Sequence, residues 1–479
     1  MDTFQLGTDQ LPRTFGATGD GQTDDTHAVQ AAVDAAAARG GGRVVLLPGD
    51  AYRCGSIELK SNVELHLAAG SRLVAATDPA DYSRTFRVGA LAAGESTGSR
   101  VANGALIWAE GASDVAITGT GTIDGSAPAY VRGEGDGIYR MDPSRPFPVI
   151  LIGCTGVLLR DVRLVDAALW TVRLSGCVDV HIDGIRIAND MRVPNADGID
   201  IDHCKRVRVV GCDIRCPDDG ICLKTTDEFA GFGGTSDVLV TACAIESRST
   251  AITIGVETDR PIRNVVVTGC TIRNSHRGIS VSMGTGPGGD VENVLFSDLV
   301  IETRHDGADW WGAGEPIMIR SAPWHEQAGA VRRVRIRNIL ARAENGIVIY
   351  AQAPGEIDDV QLSDVRLEMD RWTDRPGRRQ DLRPIDSAAP YPGREDDING
   401  LRACRPPALH VEGARDVSLR DLAVVWRDVP ADEFGPTLVV DRCTDVRWSG
   451  LRLTGRAPDT EFALDGAPGG PLPPDGRAG

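Results

Sequence analysis

Three aspartates near the middle of the chain are spaced to do acid-base chemistry together. Asp197 precedes the run Gly-Ile-Asp-Ile and Asp219 precedes Gly-Ile-Cys-Leu, so the two hold equivalent positions before equivalent apolar segments. Asp218 adds a third carboxylate, one residue out of phase with that pair. If the two segments are stacked strands, Asp197 and Asp219 stand about 5 Å apart, where like charges repel unless something binds between them. Three converging carboxylates supply one general acid and a pair that holds and deprotonates a water, the set that acid-assisted hydrolysis needs. A blander alternative is that Asp at a strand corner bonds turn amides. Calcium is another, but no loop supplies the six to eight oxygens it takes, so no metal and no cofactor is assigned.

The same position can be followed along the chain. After Asp197 and Asp219 it holds Thr250, Arg277, Glu315 and Asn345, each before its own small-apolar-x-apolar run. What must stack them is a repeat. A Val anchor flanked by alternating apolar residues recurs at positions 115, 157, 180, 207, 238, 265, 294, 334, 360, 417 and 446. From 157 to 294 the intervals are 23, 27, 31, 27 and 29 residues, short for a strand-helix unit, and Gly, Asn and Asp separate the period-2 runs. The reading is an all-β, single-stranded parallel β-helix, in which each strand pairs with its copy in the next coil. Leucine-rich repeats share the period but need a Leu/Asn consensus that is absent. Cys154, Cys177, Cys204 and Cys443 lie three residues before their anchors, and Cys212, Cys243 and Cys270 lie five after theirs. These are ladder positions, and eleven Cys is an odd number, so stacked free thiols are expected rather than a disulfide framework.

An open β-helix end must be covered. Residues 24–39, with an acid at the start, Val29 and Val33 at helical spacing and glycines after, read as the capping helix. The preceding Gly16-Ala-Thr-Gly-Asp-Gly lacks the Lys-Ser/Thr of a phosphate loop. One domain is expected over residues 1–455, with loop insertions at 304–330 and 370–407 and a Pro/Gly-rich, largely unstructured tail over 456–479. With 51 basic against 68 acidic residues the formal charge is -17, the wrong sign for a partner that is a nucleic acid or an anionic membrane surface. No apolar stretch approaches the roughly 18 residues that span a bilayer. The N-terminus shows no secretory signal, so a cytoplasmic location is expected, or a secreted one if a signal was trimmed.

The string Asn195-Ala-Asp197-Gly-Ile-Asp, followed by Asp218-Asp219-Gly-Ile, resembles the Asn-Thr-Asp and Asp-Asp motifs of glycoside hydrolase family 28, the polygalacturonase family. The resemblance extends to Phe15-Gly-Ala-Thr-Gly-Asp-Gly, to Gly119-Thr-Gly-Thr-Ile-Asp-Gly125, to Arg145-Pro and to Trp170. It implies a right-handed parallel β-helix and hydrolysis with inversion of a carbohydrate substrate. By motif position Asp218 would be the general acid, with Asp197 and Asp219 holding the water. An inverting pair stands about 6.5 to 9.5 Å apart, so Asp218 is expected to point away from Asp219 and lie at that distance from Asp197.

Departures from the family pattern bear on the substrate. Its Gly-His-Gly motif falls on Ser249-Thr250-Ala251, and its Arg-Ile-Lys motif, which grips a substrate carboxylate, falls on Ser280-Val281-Ser282. A uronate there would lose two charge-assisted hydrogen bonds, each worth roughly 1.5 to 3 kcal/mol. A non-standard substrate is therefore expected, with Lys224, Arg277 and Arg320 as partial replacements. Asn195, Thr250, Glu257, Ser280 and Glu315 complete the expected substrate-binding set. Trp310, Trp311, Trp324, His325 and Trp372 are candidates for stacking on a sugar face, and Trp170 is counted in the substrate-binding set. Large loops beside a groove close one end of it, so exo action on an oligosaccharide or glycoside is favoured. A β-helix lyase, epimerase or glycosyl-transferring enzyme, and a non-catalytic carbohydrate-binding helix, stay open as alternatives.

Overall fold

The Val anchors stack directly upon one another. In the computed structural model, Val115, Val157, Val180, Val207, Val238, Val265, Val294, Val334, Val360, Val417 and Val446 are mutual partners in successive parallel strands. The structure describes residues 9–87, 103–135, 137–285, 288–307, 310–322, 329–375, 377–382, 401–427, 429, 432–455, 462–464, 467, 468 and 475–478. The residue before most anchors adopts positive φ, 60° at Asp237, 59° at Asn264 and 57° at Asn293. Asp and Asn tolerate that conformation best among residues with a side chain, which is why the repeat carries them there. Val, Ile and Leu from every coil fill one continuous apolar column, and Cys154, Cys177 and Cys204 are buried in it. All eleven Cys are free thiols.

Helix α1 (Thr26–Ala38) buries Ala28, Val29, Ala32, Val33 and Ala36 against the first coil. Asp24 caps it, accepting the Thr26 N–H at 3.0 Å. Asp25 turns back instead and accepts the N–H groups of Thr18 and Gly19 at 2.6 and 2.9 Å. Two amides of the Gly-rich turn are therefore already bonded within the chain.

One sheet carries the polar column. Its strands include β1 (Phe147–Ile152), β2 (Val172–Ser175), β3 (Ile199–Asp202), β4 (Ile221–Thr225), β5 (Thr250–Thr258), β6 (Arg277–Thr285), β7 (Ile317–Ser321) and β8 (Ile347–Ala351). A hairpin of β9 (Arg379–Asp381) and β10 (Leu401–Ala403) follows outside the sheet, and β11 (Leu409–Glu412) resumes it. Val172, Ile199, Ile221, Ile252, Ile279 and Ile317 are successive partners. Two residues before them stand Trp170, Asp197, Asp219, Thr250, Arg277 and Glu315, the column expected from the sequence. After the two aspartates the next position is forced to be glycine. A side chain on Gly198 would meet the Gly220 carbonyl at 2.2 Å, and one on Gly220 the Ala251 carbonyl at 2.4 Å.

Residues 304–330 do not form one insertion, because β7 crosses them as a regular rung. Within the expected tail, the described residues include paired strands. Phe462–Leu464 pairs with Leu438–Asp441, and Gly476–Ala478 runs antiparallel to Thr444–Ser449, covering strand edges of the last coil.

Candidate active site

The three aspartates converge. One carboxylate oxygen from each of Asp197, Asp218 and Asp219 lies within 4.8 Å of the others. The nearest oxygens of Asp218 and Asp197 are thus within 4.8 Å, short of the 6.5 to 9.5 Å expected of an inverting pair, so the spacing does not itself argue for inversion. Two backbone amides draw Asp218 in, the Asn195 N–H donating to Oδ2 at 3.2 Å and the Asp219 N–H to Oδ1 at 3.0 Å. Asn195 holds φ at 58° to aim its amide there, and its own Oδ1 accepts from the Arg145 guanidinium at 3.3 Å. Arg145 also donates to the carbonyls of Ala168 and Pro194, so it fixes the loop that carries Asn195 and Asp197. Asp219 Oδ1 accepts from Ser249 Oγ at 3.1 Å and from the Thr250 N–H at 3.3 Å. Thr250 therefore acts on the cluster through its backbone.

Burial dominates the electrostatics. It pushes the Asp197 carboxyl well above the usual carboxylate range, and the nearby charge of Asp200 pushes the same way. Asp219 is raised to about 7 by burial and then by Asp218. Asp218 is raised by burial but less freely, since Lys224 and its two amide donors favour the charged form. Carboxylates this close do not all ionise at neutral pH, so the cluster shares a proton.

A fourth carboxylate escaped the sequence reading. Asp200 of β3 is fully buried and lies 3.0 Å from Lys224 Nζ, which is also 3.5 Å from Asp197. The Lys224 ammonium rests 3.7 Å from the centre of the Trp170 ring. Trp170 is only 1% exposed and packs edge-on to Phe147, so it is the floor under Lys224 and not a platform for sugar. Strand alternation put the signal for Asp200 in plain view: in Gly198-Ile-Asp-Ile it must face outward, beside the cluster.

Further along the sheet the polar column changes use. Arg277 pairs with Asp381 at 3.1 Å and Glu315 at 3.5 Å. Asp381 also accepts the Gly312 N–H, Glu315 accepts that of Ala313, and the Asn345 amide donates to the carbonyls of Ala313 and Arg379. Arg277 and Glu315, expected to bind substrate, instead clasp the two inserted loops onto the sheet. Leu382, just after β9, packs on Met318 and Val348, and Gln380 bonds His410, so the outward face of β7, β8 and β11 is covered. On the other side Phe86 and Phe229 pack with Phe147, Ile150 and Trp170 over β1 and β2. The cluster thus lies between two covered stretches of sheet.

Ser280 and Ser282 face outward on β6 but are buried, their hydroxyls 3.0 Å apart. Arg320 is buried on the next rung, opposite Ser282. Glu257 is buried on β5, where its charge bears on Asp200 and Lys224. Trp310 is 3% exposed with the Arg248 guanidinium 5.2 Å from its ring, a loop anchor and not a sugar platform, whereas Trp311 is half-buried. Trp324 and His325 lie outside the described residues.

A parallel β-helix with a carboxylate triad on one sheet defines the class of carbohydrate-active β-helix proteins. The chain belongs to glycosyl hydrolases family 28, whose model matches residues 62–310. A rhamnogalacturonase A/epimerase, pectate lyase-like model matches residues 13–76. A probable polygalacturonase of Vitis vinifera is 29% identical over 297 residues, 60% of this chain and 60% of that protein. The chain therefore spans about three fifths of that relative's length. The exopolygalacturonase of Thermotoga maritima superposes with TM-score 0.64 at 21% identity, covering 95% of this chain and 94% of that one. The family 28 exopolygalacturonase of Yersinia enterocolitica gives 0.66 at 18%, covering 94% and 78%. These two likenesses show the fold.

Proposed function

We propose that the protein is an inverting, exo-acting glycoside hydrolase whose substrate is not the usual galacturonan. The observation that carries the reading is the cluster of Asp197, Asp218 and Asp219, three carboxylates within 4.8 Å on a sheet face covered to either side. Asp218 protonates the leaving oxygen, and Asp197 with Asp219 hold and deprotonate the water. The acid's proton is the one the cluster shares, and it must pass to Asp218 when substrate binds, because burial raises Asp197 and Asp219 more freely than Asp218. Covered sheet on both flanks favours a substrate entering by its end.

Substrate choice rests on which cations are already committed. Lys224 is paired with Asp200 and Asp197, and Arg277 with Asp381 and Glu315. The two Ser that replace the uronate-gripping pair offer hydroxyls only, which suit a neutral sugar, with Trp311 as the described aromatic candidate for stacking, since the Arg342 guanidinium lies 4.3 Å from the Trp372 ring centre. The test is hydrolysis of a panel of neutral and acidic glycosides, with NMR of the earliest product. Inverted configuration and release of one short product from the outset are expected. Retained configuration, or random shortening of a polymer, would reject the reading.

A further inference from the structure

The Lys224 ammonium is held from three sides, by Asp200 Oδ1 at 3.0 Å, by Asp197 Oδ2 at 3.5 Å and by the Trp170 ring centre at 3.7 Å. All four side chains are buried. An ammonium directs three N–H groups, and a ring face attracts one without taking its charge, so it stays a full cation beside the carboxylates. Asp200 and Trp170 reach it from different coils, β3 and the residue column before β2, while Lys224 itself comes from β4. Its position is therefore set by the fold rather than by its own flexible stem.

Taking the hydrolytic reading above as its basis, we infer that Asp200 and Trp170 are positioning residues that hold the Lys224 ammonium beside Asp197, so that Asp197 can serve as the base. Around this cation stand Asp197 from the loop before β3, Asp200 from β3, Asp218 and Asp219 from the loop before β4, Cys222 of β4 and Glu257 of β5. Arg145 acts on Asp197 and Asp218 from just before β1, and the Arg173 guanidinium of β2 lies 5.0 Å from the Trp170 ring. Lys224 is the cation within ion-pair distance of the triad among the described residues. Removing it leaves Asp197 with no cation in ion-pair distance among the described residues and only the more distant Arg145 guanidinium of opposite sign, whereas removing the charge of Asp200 frees the whole ammonium for Asp197.

The two removals must move the acidic limb of the pH-rate profile in opposite directions. Lys224→Met is expected to shift that limb of kcat/KM upward by about one unit, roughly a tenfold loss on the limb, and Asp200→Asn to shift it downward. A merely structural role would lower the rate at every pH and leave the limb in place. If Lys224→Met does not fold, Asp200→Asn combined with Lys224→Met removes one charge of each sign, and its limb must lie above that of Asp200→Asn alone. A second readout needs no activity. The chain has three lysines, Lys60, Lys205 and Lys224, so lysine labelled with 13C at Cε gives three signals. One should be displaced by the ring current and return on Trp170→Leu. Absence of a displaced signal, or limbs that move together, overturns the inference. A wild type that hydrolyses no glycoside while keeping the displaced signal would sink the hydrolytic reading alone.

Discussion

Replacing Asp219 by Asn should stabilise the protein at neutral pH while destroying its activity. The carboxyl is raised from 3.8 to about 7 in the folded chain, so its ionised form is disfavoured there. A group raised in this way contributes stability that is fully present below pH ~4 and is lost as pH rises through about 7. Each unit is worth about 1.36 kcal/mol, so the three-unit rise sets a ceiling of about 4 kcal/mol. Asp219 is half-buried, and solvent screening reduces this to about 2 kcal/mol. Asn keeps an oxygen to accept from Ser249 and from the Thr250 amide, so the substitution removes charge and little else. Urea unfolding of both proteins at pH 4 and pH 8 measures the effect. The variant should match wild type at pH 4 and exceed it by about 2 kcal/mol at pH 8. An equal loss of stability at both pH values would show that Asp219 is not held against its charge, and the electrostatic account of the cluster would fall with it.

Asp218→Asn should cost several powers of ten in turnover without lowering the melting temperature, because this side chain lies outside the apolar column and its charge is disfavoured by burial; a substrate with a good leaving group should suffer less, and near-normal turnover on all substrates would refute its role as acid. Asp381→Ala should cost about 3 kcal/mol by leaving Arg277 with a weaker partner, and should lengthen the products released as the loops loosen. Products unchanged in a destabilised variant would separate the clasp from the closure of the site. A thiol reagent should reach at most Cys404 and Cys443 in the native protein and all eleven Cys in denaturant without reductant; a lower count would indicate disulfides.

Much of this was legible in the residues because strand register in a β-helix is set by repetition. Once the Val anchors and the Gly-Ile segments were aligned, the pairing of Asp197 with Asp219 and the sequence of Thr250, Arg277 and Glu315 along the column followed from geometry alone. What repetition does not determine is what lies over a given rung. Arg277 and Asp219 occupy the same column, yet one is clasped by Asp381, which lies 104 residues away in an insertion with no periodic signal, and the other faces the site. Trp170 was misread for a related reason, since an aromatic at the column suits a sugar as well as it suits an ammonium, and only the reach of Lys224 from another coil decides between them. The position of Asp218 depended on two backbone amides, one of them aimed by the positive φ of Asn195, and side-chain alternation carries no information about either.

The hairpin strand that lies across the outward face of β7, β8 and β11 has a kinetic consequence. On the exo-acting reading proposed above, a site with covered sheet on both flanks takes in its reactant and releases both fragments by the same way. The fragment left deepest cannot move on ahead of an advancing chain, so it must back out before the next turnover begins. On that reading the enzyme works by repeated encounter and not by sliding, and its smallest product competes with fresh substrate for the same entrance.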